Sequence, residues 1–323
     1  QTAVAAGISM NVPATTLNAV CLSGTEAVAQ AVRLINAGEA DVVVAAGQES
    51  MSLAPHVLPL RAGTKYGPAT LIDTVAHDGL TDAFDQVAMG ALTEQGNAPL
   101  SLTREDQDAF AAASHQRAAA SAEFLAAEIE PFTVTSRRGD TVVSADDGVR
   151  ADTTAEGLAG LRPAFAKDGT ITAGNASQIT DGAAALVIVS EAAAERLGLK
   201  PLARVEATAF VAGPDAHLHS QPSRAIAAAL QKAGRSAEEL AAVEINEAFA
   251  AVGLQSTREL GLDPAIVNPH GGAIALGHPI GASGARIVGT LARQLVEAGS
   301  GSLGAAGICG GGGQGSAVIL QSL

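Results

Sequence analysis

"SGTEAVAQAVRLINAGEADVVVAAG", Ser23 to Gly47, and "SGARIVGTLARQLVEAGSGSLGAAG", Ser283 to Gly307, are the two stretches from which the fold is read. Each opens on Ser-Gly and closes on Ala-Ala-Gly, and the two are equally long. In the first, Val28, Val32 and Ile35 recur on one helical face, Gly38 stops the helix, and "DVVVAAG" has the apolar run of a buried strand. In the second, Ile287, Leu291 and Leu295 form the stripe and Gly299 supplies the stop. Ala-rich helices resemble one another by chance, but the shared start, length and finish favour a duplicated helix-strand unit. The chain is therefore read as α/β, with two similar halves. Alternating helix and strand predicts parallel sheets with helices on their faces, and ligands bound where the halves meet.

Between the repeats lies a long stretch of different character. It holds a long helix over "SLTREDQDAFAAASHQRAAASAEFL", which Thr103 can cap, and the basic "TSRRGD" around Arg137 and Arg138. We read it as an inserted cap. With 323 residues, 47% of them hydrophobic, the chain has material for two or three domains. A net charge of −14 argues against general nucleic-acid binding, so an anionic ligand needs a local basic patch. Two cysteines make no disulfide framework and suggest a reducing compartment, the cytoplasm. The longest apolar runs, such as "AAALVIVS", fall short of the roughly 20 residues of a membrane span. The opening "QTAVAAGI" has no methionine and reads like the middle of a helix, so an upstream segment is expected.

Four patches carry chemistry. Cys21, in "AVCLSGTEAVAQA", is either a small buried hydrophobe or a thiol at a helix N-terminus, where unpaired N–H groups favour the thiolate. Cys309, in "GICGGGGQG", ends a strand before glycines that allow a sharp turn and close backbone approach to a ligand; the run matches neither a P-loop nor a dinucleotide fingerprint. His278, between Gly277 and Pro279, is by itself an ordinary loop histidine. Pseudo-symmetry would nevertheless bring it toward Cys21, whose activation needs a base or cation to pull its pKa below about 8.5. Asn246 and Glu247 could cap a helix, or Asn246 could hold a water that donates to an oxyanion. No metal site is expected: there is no Cys-x-x-Cys pair, and "HLH" at His217 to His219 has no obvious third ligand.

"LNAVCLSGTEA", "NEAFA" (Asn246 to Ala250), "GGAIALGHPIGASGARI" and "CGGGGQG" (Cys309 to Gly315) resemble, in order, the four signature blocks of the thiolase family. The resemblance continues through "ESMSLAPHVLPLRAGTKYG", "HDGLTDAF" with "MG" soon after, and "LRPAFAKDGTITAGNAS". It implies a layered αβαβα fold: one half from residues 1–50 and 179–201, an inserted coenzyme A-binding loop domain over 51–178, and a second half over 202–323. It also implies an acyltransferase that condenses acetyl-CoA or thiolyses 3-ketoacyl-CoA, with acyl-CoA as substrate and no permanently bound cofactor.

By the same resemblance Cys21 is the nucleophile, His278 increases its thiolate character, and Cys309 is the acid/base. Asn246 with His278 forms one oxyanion hole, and the N–H groups of Cys21 and Gly311 form the other. Coenzyme A and acyl contacts fall to Leu80, Ala88, Met89, Arg150, Phe165, Ala173, Ser177, Leu218 and Phe249, and a homodimer or homotetramer is implied. The chain departs from the pattern at Leu218, where biosynthetic members have Met, along "AHLHSQPSRAI", and at Ala88, where they have His. The last change suggests a wider acyl range. A ketoacyl-synthase-like condensing enzyme is the rival, disfavoured by Cys309; a non-catalytic acyl-CoA- or lipid-binding protein on the same fold is the other.

Overall fold

The computed structural model describes residues 1–63 and 65–323. A short helix α1 (Thr2–Ala5) precedes α2 (Ser23–Asn36) and strand β1 (Val42–Glu49). The intervening stretch contains β2 (His56–Val57), β3 (Ile72–Asp73), α3 (Met89–Asn97), α4 (Arg104–Ala120), α5 (Ala122–Ala126), β4 (Phe132–Val134), β5 (Thr141–Val143) and α6 (Ala155–Ala159). The chain then forms β6 (Gly182–Val189) and α7 (Glu191–Leu197). The second half contains β7 (Ala203–Ala212), α8 (Gln221–Ala233), β8 (Leu240–Ile245), α9 (Ala250–Glu259), α10 (Ala273–Leu276), α11 (Ile280–Ala298), β9 (Leu303–Gly310) and β10 (Gln314–Ser322).

Strands β1 and β6 form one sheet, in register from Val42 opposite Val189 to Glu49 opposite Gly182. The other principal sheet has the order β7-β10-β9-β8. The expected parallel sheets are corrected here. Only β8 and β9 pair in parallel among these strands, while β1–β6, β10–β7 and β10–β9 are antiparallel. Local connection explains part of this: β9 and β10 are joined by Gly311 to Gly313, and a three-residue hairpin makes its strands antiparallel. Positive φ at Gly312 and Gly313 lets the chain reverse there.

The duplicated helices pack between the two sheets. Val28 and Ala31 of α2 and Ile287, Leu291 and Leu295 of α11 share one core with Ala45 of β1, Ile308 of β9 and Val318 of β10. Helix α8 covers the far side of the second sheet, where Ile226 and Leu230 meet Val243, Ala305 and Ile319. The repeated Ser-Gly pair is explained by the helix crossing. A Cβ on Gly24 would collide with the Ala285 backbone, and one on Gly284 with the Thr25 backbone. The repeats differ at their starts: α2 begins at Ser23, whereas α11 begins at Ile280, a turn before Ser283. Thr103 caps α4 by accepting from Asp106 N at 3.1 Å. The long helix expected there breaks at Ser121, whose hydroxyl meets His270 Nδ1 at 2.8 Å.

Candidate active site

Cys21 lies in a tight turn ahead of α2. Val20 has φ +52°, a strained conformation for a β-branched residue. Local hydrogen bonds hold it: Asn18 Oδ1 accepts from Val20 N at 2.8 Å, and Ser23 Oγ donates to Val20 O at 2.6 Å while accepting from Ala19 N at 3.0 Å. The strain therefore sits next to the thiol and is fixed by the polar residues flanking it. Composition gave no warning, because valine is a poor candidate for positive φ.

The half-buried Cys21 thiol receives hydrogen bonds from its own N–H and that of Gly311, which lies just past β9. These two N–H groups are the predicted backbone oxyanion pair. Burial opposes the expected thiolate, however. Burial outweighs the two N–H groups and, with a smaller contribution from Glu49, pushes the thiol up to about 12. Cys309, at the end of β9, is 1% exposed; its thiol is raised further by burial and then by the nearby Cys21. Leu22 packs on Gly310, bringing the turn before α2 against the end of β9.

Asn246 and His278 form a second group, and both are buried. Asn246 follows β8 directly and is anchored by its N–H to Gly307 O at 3.0 Å. It does not cap a helix, since α9 begins only at Ala250. Its Nδ2 lies 3.5 Å from both ring nitrogens of His278, and its Oδ1 has no partner among the described residues. His278 Nδ1 meets Ser283 Oγ at 2.6 Å, and that hydroxyl donates to Pro279 O at 3.0 Å. A hydroxyl has one proton, so this arrangement makes Nδ1–H the donor and leaves Nε2 as the basic nitrogen. Burial, aided by Arg286, lowers the His278 pKa to about 4 and keeps the ring neutral. Sequence reading treated Ser283 as a helix start; inside α11 it orients the imidazole instead.

Met89, Leu218 and Phe249 share an apolar cluster with Cys309. Leu80 borders it through its carbonyl, which accepts from Met89 N at 2.8 Å. Phe165 meets Phe249 edge to face, with ring centroids 6.2 Å apart, and occupies the space that a side chain on Gly90 would need. Ser177 N donates to Ala248 O at 3.1 Å, next to Phe249. Ala88 is exposed at the start of α3. Arg150 and Ala173 are also exposed; Arg150 N donates to His115 Nδ1 at 3.2 Å. Among the described residues, no helix is long and apolar enough to cross a membrane.

Comparisons with known proteins match this fold. The model of the thiolase N-terminal domain matches residues 1–192 and that of the thiolase C-terminal domain matches 199–322. A Mycolicibacterium smegmatis protein named probable acetyl-CoA acetyltransferase is 57% identical over 325 residues, covering 99% of this chain and 84% of the relative. The crystal structure of the Bacillus anthracis acetyl-CoA acetyltransferase is similar at TM-score 0.95 and 40% identity, over 99% of this chain and 82% of that one. The crystal structure of human mitochondrial 3-ketoacyl-CoA thiolase gives TM-score 0.94 and 39% identity, over 99% and 82% of the two chains.

Proposed function

The chain belongs to the thiolase family, and on that premise we propose that it moves acyl groups between Cys21 and coenzyme A, condensing two acetyl-CoA molecules or thiolysing a 3-ketoacyl-CoA. The observation that carries this reading is the shared setting of two thiols: Cys21 under the N–H groups of Cys21 and Gly311, with Cys309 close enough to feel its charge. In acylation the Cys21 sulfur attacks the thioester carbonyl, its proton passes to Nε2 of His278, the two N–H groups stabilise the oxyanion, and the bond to coenzyme A then breaks, the departing thiolate taking the proton of Cys309. A resting thiol near pKa 12 beside a neutral imidazole favours proton transfer during attack over a preformed ion pair.

In condensation, Cys309, left as the thiolate by protonating the departing coenzyme A, removes a methyl proton from the second acetyl-CoA. The enolate oxygen is stabilised by His278 and a water held by Asn246, whose unpartnered Oδ1 suits such a site. The enolate carbon then forms a bond to the acyl carbon, the Cys21–acyl bond breaks, and Cys21 takes its proton back from His278. Thiolysis runs these steps backwards.

Coenzyme A is assigned to Arg150, Phe165, Ala173, Ser177 and Leu218, and the acyl chain to Leu80, Ala88, Met89 and Phe249. Residues 1–50 with 179–201, 51–178 and 202–323 are the proposed domains. The enzyme is proposed to act in the cytoplasm as a homodimer or homotetramer, in fatty-acid metabolism. Closed symmetric assembly is the usual outcome for such proteins. The test is to incubate the protein with radiolabelled acetyl-CoA and map the label: wild type acetylates at Cys21, and Cys21→Ser loses at least roughly 10³-fold in acylation rate. Normal acetylation of the variant overturns the assignment.

A further inference from the structure

Glu247 stands beside Asn246 and is 1% exposed; among the described residues no arginine or lysine lies within ion-pair distance of it, and Arg286 acts on it only through its charge at longer range. Burial raises its pKa, and hydrogen bonds from Ser114, Asn268 and the Ile274 backbone oppose that rise. Each partner points a proton at the carboxylate. Ser114 Oγ donates to Oε2 at 2.7 Å, Ile274 N donates to Oε2 at 3.0 Å, and Asn268 Nδ2 donates to Oε1 at 2.8 Å. The Ser114 hydroxyl is already the acceptor for Gly272 N at 3.0 Å, which leaves its proton for Glu247. The site thus asks for a group that accepts at both oxygens.

The partners come from separate places. Ser114 belongs to α4, Asn268 follows the short turn at 264–266, and Ile274 is in α10, which ends just before Gly277 and His278. Asn268 also grips the other side of Asn246. Its Oδ1 accepts from Ile245 N and its Nδ2 donates to Ile245 O, both at 2.8 Å, and it holds φ +46° while doing so. Both neighbours of Asn246 are therefore tied to one side chain, and one of them is tied onward to the segment that carries His278. Gly272 makes this possible, because a Cβ there would strike the Glu247 carboxylate.

We propose that Glu247 is a positioning residue that sets the distance between Asn246 and His278 by clamping α4, Asn268 and the 272–274 segment to one buried carboxylate. The proposal rests on the thiolase reading, since it assigns those two groups to one oxyanion site. Displacing such a pair by about 1 Å costs on the order of 10²-fold in turnover.

The experiment measures acetoacetyl-CoA thiolysis per alkylatable Cys21, so that misfolded protein is not counted. Glu247→Gln puts an amide donor where only acceptors fit, and its kcat should fall about 10²-fold while KM stays within about threefold. Ser114→Ala removes one of the three clamping bonds and should lower kcat about tenfold with the same unchanged KM. If Glu247→Gln does not fold, Ser114→Ala decides alone. Wild-type kcat in the variants, or a loss seen only in the number of titratable sites, overturns the positioning role and leaves the thiolase reading standing. A wild-type protein without thiolysis overturns both.

Discussion

The two halves carry the same helix-strand unit yet put it to different uses. In the first, β1 lies in register with β6, and its Ala45 joins the core shared by α2 and α11. In the second, β9 runs between β8 and β10 and every one of its residues is buried. The chemistry divides in the same way. The first half supplies one half-buried thiol on a strained turn, while the second supplies Asn246, His278 and Cys309 from deeply buried segments. Both halves build on the same unit, and burial separates a thiol at the edge of the core from one sealed within it, the division on which the proposed roles of nucleophile and acid/base rest.

Replacing the buried thiol tests this division most strongly. Cys309→Ala should still acetylate at Cys21 but lose about 10²-fold or more in condensation, the usual cost of a missing general base. Single-turnover acetylation and steady-state condensation on the same sample separate the two steps. Wild-type condensation would make Cys309 structural and the two halves chemically alike.

The symmetry at the helix crossing is open to a stability test. Gly24→Ala and Gly284→Ala each drive a Cβ into the partner helix's backbone, so each should cost about 1–3 kcal/mol despite the better helix propensity of alanine. Gly157→Ala, in α6, meets only Thr154 Oγ1 at 3.4 Å and serves as the control. Denaturant midpoints would measure all three. A tolerant Gly24 beside an intolerant Gly284 would show that the crossing is not shared equally.

This crossing was legible in outline, because matched Ser-Gly and Ala-Ala-Gly ends make sense only if something repeats. Strand direction was not, since alternation of helix and strand is silent on whether neighbouring strands are joined by a hairpin. The four chemical residues were legible as motif positions. What holds them was not: Ser283 looked like a helix start, Glu247 like part of a cap, and Val20 carried no sign of positive φ. The protonation state also escaped the sequence. Proximity to a helix N-terminus points toward thiolate, and only packing reveals that burial prevails.

That reversal has a readable consequence. With Cys21 near 12 and His278 near 4, both groups are neutral across the middle of the pH range. Iodoacetamide labelling of Cys21, followed by peptide mapping, should accelerate about tenfold per pH unit from about pH 6 to 9, because only the small thiolate fraction reacts. A rate that levels off below pH 7 would indicate a resting thiolate-imidazolium pair and overturn the neutral state.

The smallest expected effect concerns the acyl pocket, where the halves meet the intervening stretch. Ala88 immediately precedes α3, next to Met89, and Met89 lies in the apolar cluster that includes Phe249 and Cys309. The resemblance to the thiolase family implies a histidine here in short-chain biosynthetic members, and we read alanine as leaving space at the rim of the cluster. If the vacated space admits acyl carbons, each further methylene gains about 0.8 kcal/mol, roughly fourfold in kcat/KM. The neighbours limit the gain, because Phe165 leans on Phe249 and fills the space above Gly90. Thiolysis of four- to ten-carbon 3-ketoacyl-CoA substrates should therefore rise modestly with length in the wild type, with the four-carbon substrate still accepted. Ala88→His should flatten that rise and leave four-carbon turnover nearly unchanged. Strict preference of the wild type for the four-carbon substrate would reject the wider pocket: the apolar side chains around Phe249, and not the missing imidazole, would then set chain length.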